Sequence, residues 1–142
     1  VNLIVDASVA IKWFAPEVLS TEAERLLNGN DALFAPDLLL VECGNIIWKK
    51  VRLGELARSD GDAALAALRS GPIDLVDTRP LVERGLHLAH ELAHPVYDCL
   101  YLAAADMVDG VVVTADRRFF DQCSSSRQRA RISWLAHRAS AP

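Results

Sequence analysis

Residues 97–116 decide the fold: Tyr97-Asp98-Cys99-Leu100-Tyr101-Leu102-Ala103-Ala104-Ala105-Asp106-Met107-Val108, then Asp109-Gly110, then Val111-Val112-Val113-Thr114-Ala115-Asp116. The first block reads as a helix from about Tyr97 to Val108. Gly110 turns the chain, and Val111–Thr114 is an unbroken apolar strand. Working outward, Leu3-Ile4-Val5 is a short strand ending at Asp6, Leu33-Phe34-Ala35 a second closed by Pro36, and Ile73 to Val76 a third. Ile132 to Leu135 is a weaker closing strand. Between them lie helical stretches over Glu17–Leu27, stopped by Asn28-Gly29, and from a cap at Asp37 to about Val51, stopped at Leu53-Gly54. Further helices cover Glu55–Leu68, ended by Ser70-Gly71-Pro72, and Leu81–Leu92, linked through Pro95 to the block above. Short strands without polar alternation are covered on both faces. The expected fold is a three-layer α/β/α domain with a mostly parallel, about five-stranded central sheet. No repeat, low-complexity tract or long linker divides residues 1–142, so one domain is expected.

Hydrophobic residues make up 51% of the 142 and charged residues 24%, which excludes a disordered or collagen-like chain. No apolar run reaches the ~18 residues of a membrane span. No basic leader with a long apolar stretch precedes Asp6, so no signal peptide is expected. The three cysteines, Cys43, Cys99 and Cys123, are widely spaced in apolar surroundings and read as core residues of a reducing compartment. A cytoplasmic location without membrane contact is expected. The net charge of -4 argues against a surface that wraps nucleic acid throughout, but the charge is uneven. Arg117, Arg118, Arg127, Arg129, Arg131 and Arg138 form a basic strip opposed only by Asp121. Such a strip can hold phosphates while an acidic pocket holds a metal ion. Solubility or a subunit contact explains the same arginines.

In an open parallel sheet, sites form beyond the carboxyl ends of the strands. Asp6 and Asp116 stand at two such ends, and Asp98 lies in the first turn of its helix, where the dipole favours negative charge. A plain helix cap also explains Asp98. Glu42 sits in Leu38-Leu39-Leu40-Val41-Glu42-Cys43-Gly44-Asn45-Ile46-Ile47-Trp48, a helix apolar on nearly every side. It shares a polar stripe with Asn45 and Lys49. Either the stripe faces solvent, or Glu42 is drawn into a site where a cation, proton or water must meet it. Together, Asp6, Glu42, Asp98 and Asp116 offer hard oxygen ligands from four elements, a set suited to Mg²⁺ or Mn²⁺. Ser8, two residues beyond Asp6, and Thr114, two before Asp116, can donate to a carboxylate or phosphate oxygen. Capping and strand propensity explain them equally.

Other readings fare less well. Neither Gly-x-Gly-x-x-Gly nor Gly-Lys-Ser/Thr occurs, which removes dinucleotide binding and the phosphate-binding loop. A haloacid-dehalogenase-like phosphatase wants an acid where Ser8 stands, and a receiver-like phosphoacceptor wants paired acids after its first strand. His87, His90 and His94 share helical spacing suited to Zn²⁺, while a solvated polar face accounts for them as well.

Four segments taken together resemble the PIN domain, and more closely the VapC-type ribonuclease toxins of toxin–antitoxin pairs. They are Val5-Asp6-Ala7-Ser8-Val9-Ala10 with Lys12-Trp13-Phe14; Ala35-Pro36-Asp37 leading through Glu42 to Asn45 and Trp48; Pro95-Val96-Tyr97-Asp98 with Tyr101, Leu102 and Ala103; and Thr114-Ala115-Asp116 with Phe119. The resemblance runs from residue 3 to about residue 121. It implies an acidic metal site of Asp6, Glu42, Asp98 and Asp116 lined by Ser8 and Thr114, a metal-dependent endoribonuclease, a small cognate antitoxin and a homodimer. A stand-alone PIN nuclease of RNA processing and a non-catalytic interaction module are the alternatives. Asp109, eleven residues beyond Asp98 and so about 16 Å along the helix, is expected outside the cluster.

Overall fold

The computed structural model describes residues 1–139. Asn2–Val5 (β1), Ala32–Pro36 (β2), Ile73–Val76 (β3), Val111–Thr114 (β4) and Ile132–Trp134 (β5) form one parallel sheet in the order β3-β2-β1-β4-β5. Leu3, Ile4, Val5, Val112 and Val113 are fully buried, as unalternating strands between two helical layers must be. Ala7–Ala10 (α1), Ser20–Leu27 (α2), Leu38–Arg52 (α3), Arg58–Ser70 (α4), Val82–Leu92 (α5), Val96–Val108 (α6), Arg117–Ser124 (α7) and Leu135–Ala139 (α8) complete the three-layer α/β/α fold.

The helices that matter for the site are fixed by local chemistry. α3 stops where Gly54 adopts φ +74°, a left-handed conformation that costs glycine nothing. α6 has Tyr101, Cys99 and Ala103–Ala105 in the core. It turns into β4 through Gly110, where a Cβ would lie 2.7 Å from the Asn2 carbonyl oxygen. β2 and β3 are added on one side of β1, and β4 and β5 on the other. The order of addition therefore reverses between β1 and β4, the place at which open parallel sheets form their sites beyond the carboxyl ends of the strands.

Several expectations are corrected. α2 begins at Ser20, not Glu17, because Leu19 is left-handed (φ 67°) and the Ser20 hydroxyl accepts the Glu17 N–H. α4 begins at Arg58, not Glu55, whose N–H instead closes the α3 turn onto Lys50. Asp37 does not cap α3 with its side chain. Its carboxylate accepts the Thr78 N–H and hydroxyl, so the loop after β3 competes for it. Leu135 starts α8 and does not extend β5. α7 carries few apolar residues, so hydrophobic periodicity does not predict it.

Candidate active site

Asp6 follows β1 at the reversal point and is 4% exposed. Its Oδ1 accepts the Ala7 N–H at 2.9 Å, while Oδ2 accepts the Ser8 hydroxyl at 2.6 Å and the Thr114 hydroxyl at 2.8 Å. Asp6 itself therefore caps α1, and Ser8 is free to serve the carboxylate. Burial pushes the Asp6 carboxyl up to about 6, the two hydroxyls oppose the rise, and the charges of Asp98 and Asp116 reinforce it.

Asp116 caps α7, accepting the Phe119 N–H at Oδ1. Its own N–H donates to the Thr114 hydroxyl at 3.0 Å, and the Ala115 N–H donates to Ser8 Oγ at 3.0 Å. Ser8 and Thr114 thus tie the ends of β1 and β4 together while both donate to Asp6.

Glu42 leaves the stripe it shares with Asn45 and Lys49, which are exposed. The buried Tyr101 hydroxyl donates to Glu42 Oε1 at 2.8 Å. Burial pushes Glu42 up to about 7, Tyr101 opposes this, and the charges of Asp6 and Asp98 add to it. Asp98 is also raised by burial, with its hydrogen bond to His94 opposing. The charges of Asp98 and Asp116 thus act on Asp6, those of Asp6 and Asp98 on Glu42, and that of Asp116 on Asp98. No lysine or arginine among the described residues forms an ion pair with any of them. Among the described residues no three His, Cys, Asp or Glu side chains stand close enough together to hold a metal ion as now oriented.

Two of these acids project from the strand ends on either side of a topological reversal, and residues 3–123 match the PIN domain family. The chain belongs to the PIN domain family. It is homologous to VapC-type toxins of toxin–antitoxin systems. Ribonuclease VapC1 of Mycobacterium tuberculosis is 32% identical over 118 residues, covering 81% of this chain and 86% of the relative. Ribonuclease VapC3 of Pyrobaculum aerophilum is 28% identical over 123 residues, covering 85% of this chain and 94% of the relative. The crystal structure of PAE2754 from Pyrobaculum aerophilum shares the fold, with a TM-score of 0.72 at 24% identity over 98% of this chain and 87% of that one.

In this PIN domain Asp109 lies outside the acidic group, paired with Arg131 at 2.8 Å. The three histidines do not converge. α5 ends at Leu92, Ala93 is left-handed (φ 50°), and His94 is buried against Asp98 while His87 and His90 stay exposed. The basic strip also divides. Arg131 pairs with Asp106 and Asp109, Arg138 with Asp31, and Arg117 lies 3.9 Å above the Trp134 ring. The sequence reading gave no role to Tyr101, although its place three residues after Asp98 on α6 puts both on one helix face. No helix among the described residues is long and apolar enough to cross a membrane.

Proposed function

We propose that this PIN domain is a Mg²⁺- or Mn²⁺-dependent endoribonuclease and the toxin of a toxin–antitoxin pair. The observation that carries the reading is the buried Asp6 carboxylate, which feels the charges of Asp98 and Asp116, acts in turn on Glu42, and is compensated by no lysine or arginine ion pair among the described residues. Such a group is costly to keep charged unless a cation joins it. The donors fit a hard divalent ion: all four are carboxylates, and neither Asp98 Oδ1 nor Glu42 Oε2 accepts a protein hydrogen bond among the described residues.

Asp6, Asp98, Asp116 and Glu42 would hold the ion. When bound, it supplies a water acidic enough to attack phosphorus and charge to stabilise the phosphoryl oxygens. Ser8 and Thr114 hold Asp6 in its ionised form by donating to Oδ2. Tyr101 fixes the Glu42 side chain, whose carboxyl, at about 7, exchanges protons near neutral pH. Attack by water, rather than by the ribose 2′-hydroxyl, leaves a 5′-phosphate and a 3′-hydroxyl.

Two surfaces support the partners. Leu40, Val41, Leu65 and Ala66, with Asp62 and Arg69, line a depression of about 400 Å³ between α3 and α4. It suits an amphipathic antitoxin helix, and the negative crevice suits a Lys or Arg that follows it. Val82 and Leu86 on α5 and Met107 on α6 are exposed and suit the second copy of a homodimer.

Cleavage of a loop-containing RNA by the purified chain tests the reading. Activity should disappear in EDTA, return with Mg²⁺ or Mn²⁺, and be lost in Asp98→Asn. Undiminished cleavage in EDTA, or a fully active Asp98→Asn, overturns it. Co-purification with a small basic partner tests the toxin assignment separately.

A further inference from the structure

His94 is the one buried histidine among the described residues, with a side chain 4% exposed. Its Nε2 lies 2.6 Å from Asp98 Oδ2. The ring stacks on Phe119 with centroids 5.2 Å apart and planes at 20°. Its backbone is held as well: the N–H donates to Ala89 and the carbonyl accepts the Cys99 thiol at 3.8 Å. The left-handed Ala93 delivers it to this place by ending α5 one residue earlier. Phe119 in turn donates its N–H to Asp116 Oδ1 at 3.2 Å. One rigid path therefore runs from Asp116 through the Phe119 backbone and ring to the imidazole and on to Asp98.

We infer that His94 is a positioning residue: its Nε2–H holds Asp98 Oδ2 and leaves Oδ1 as the oxygen offered to a divalent cation. The inference rests on the metal-dependent reading above. Carboxylates that bind metals are themselves oriented by hydrogen bonds, and losing such a partner weakens metal affinity about ten- to a hundredfold. Without His94, Asp98 is free to rotate between orientations, of which only some present an oxygen to the crevice. As the donor to Asp98 Oδ2, His94 carries its ring proton on Nε2.

Mn²⁺ titrated calorimetrically into the full-length, EDTA-stripped, RNA-free chain tests the inference through two variants that separate the donor from the ring. His94→Phe keeps an aromatic stack on Phe119 and removes the N–H; His94→Gln keeps an N–H at a similar reach and removes the stack. His94→Phe should weaken Mn²⁺ about ten- to a hundredfold, while His94→Gln stays within about threefold of the unaltered chain. Equal affinity in His94→Phe, or an equal loss in His94→Gln, overturns the inference and leaves the metal site standing. A folded unaltered chain that binds no Mn²⁺ overturns the metal reading, and the inference with it. Nitrogen NMR of the unaltered chain gives a readout that needs no variant. His94 should carry its proton on Nε2 and shift on addition of Mg²⁺, while His87 and His90 do not. An Nδ1–H tautomer overturns the inference.

Discussion

The Tyr101 hydroxyl donates to Glu42 Oε1 at 2.8 Å, joining α6 to α3. The tyrosine is fully buried, so the bond has no water to replace it. Tyr101→Phe removes the donor and leaves the ring. It should cost about 1.5–3 kcal/mol in urea denaturation, the range for a hydrogen bond to a charged group. It should also push the Glu42 carboxyl above its value of about 7, because the lost bond favours the ionised form. Unchanged stability together with an unchanged Glu42 titration would show that the pair is not formed in solution.

The acids give the metal-free protein an unusual dependence on pH. Asp6 rises from 3.8 to about 6 on folding and Glu42 from 4.5 to about 7. The folded chain therefore binds more protons than the unfolded one between about pH 4 and 7, and stability falls as pH increases through that window. The rise at Asp6 alone corresponds to roughly 3 kcal/mol. In EDTA, Tm should be higher at pH 5 than at pH 8. Mg²⁺ should raise Tm more at pH 8, where it does not compete with protons. A Tm indifferent to both pH and Mg²⁺ would contradict the electrostatics of the site.

Thr114→Val tests the hydroxyls. The substitution keeps the β-branched shape in β4 and removes both the donor to Asp6 Oδ2 and the acceptor for the Asp116 N–H. Ser8 still donates to Asp6, so the site is weakened and not dismantled. The acidic limb of the cleavage profile should move to higher pH, because Asp6 loses one bond that favours ionisation. Stability should fall by about 1–3 kcal/mol as the Asp116 N–H loses its partner. A profile that stays in place would remove Thr114 from the machinery.

The strands were legible because parallel pairing buries both faces, so that Leu3–Val5 and Val111–Val113 carry no polar residue to confuse the period. The positions of Asp6, directly after β1, and Asp116, two residues after β4, follow from the same strand ends, beyond which an open parallel sheet forms its sites. What failed was decided by distant partners. Asp37 turns to Thr78, forty-one residues away, and so leaves its helix uncapped by a side chain. Glu42 had two open readings until Tyr101, fifty-nine residues on, settled which way it faces. α7 escaped notice because only Phe119 and Cys123 of its eight residues are buried, a stripe too thin to register as a period. His94 was grouped with His87 and His90 by spacing alone, and a single left-handed residue, Ala93, separates it from them.

That same α7 divides the basic strip and sharpens what is expected of RNA binding. Arg117 and Arg118 are neighbours in sequence, yet their surroundings differ. The Arg117 guanidinium lies over the Trp134 ring at 3.9 Å and the Phe120 ring at 5.6 Å, with Asp121 at 3.9 Å, so it packs α7 against β5 although its side chain is 59% exposed. Arg118 is exposed and makes no ion pair among the described residues. It stands near enough to Asp98 for its charge to favour the ionised carboxyl. If the proposed function holds, a cation beside Asp98 is placed to receive the phosphate next to the one being cleaved. Arg118→Ala should therefore weaken RNA binding and lower the slope of log affinity against log salt by about 0.7, one phosphate contact on a single strand. Arg117→Ala should leave that slope in place and cost about 0.5–1 kcal/mol of stability through the lost stacking. Mn²⁺ affinity measured without RNA should not fall in either variant, since neither arginine supplies a ligand. Equal salt slopes in Arg118→Ala and the unaltered chain would direct the RNA path away from α7. A reduced slope in Arg117→Ala would mean that the Trp134 stack opens when RNA binds.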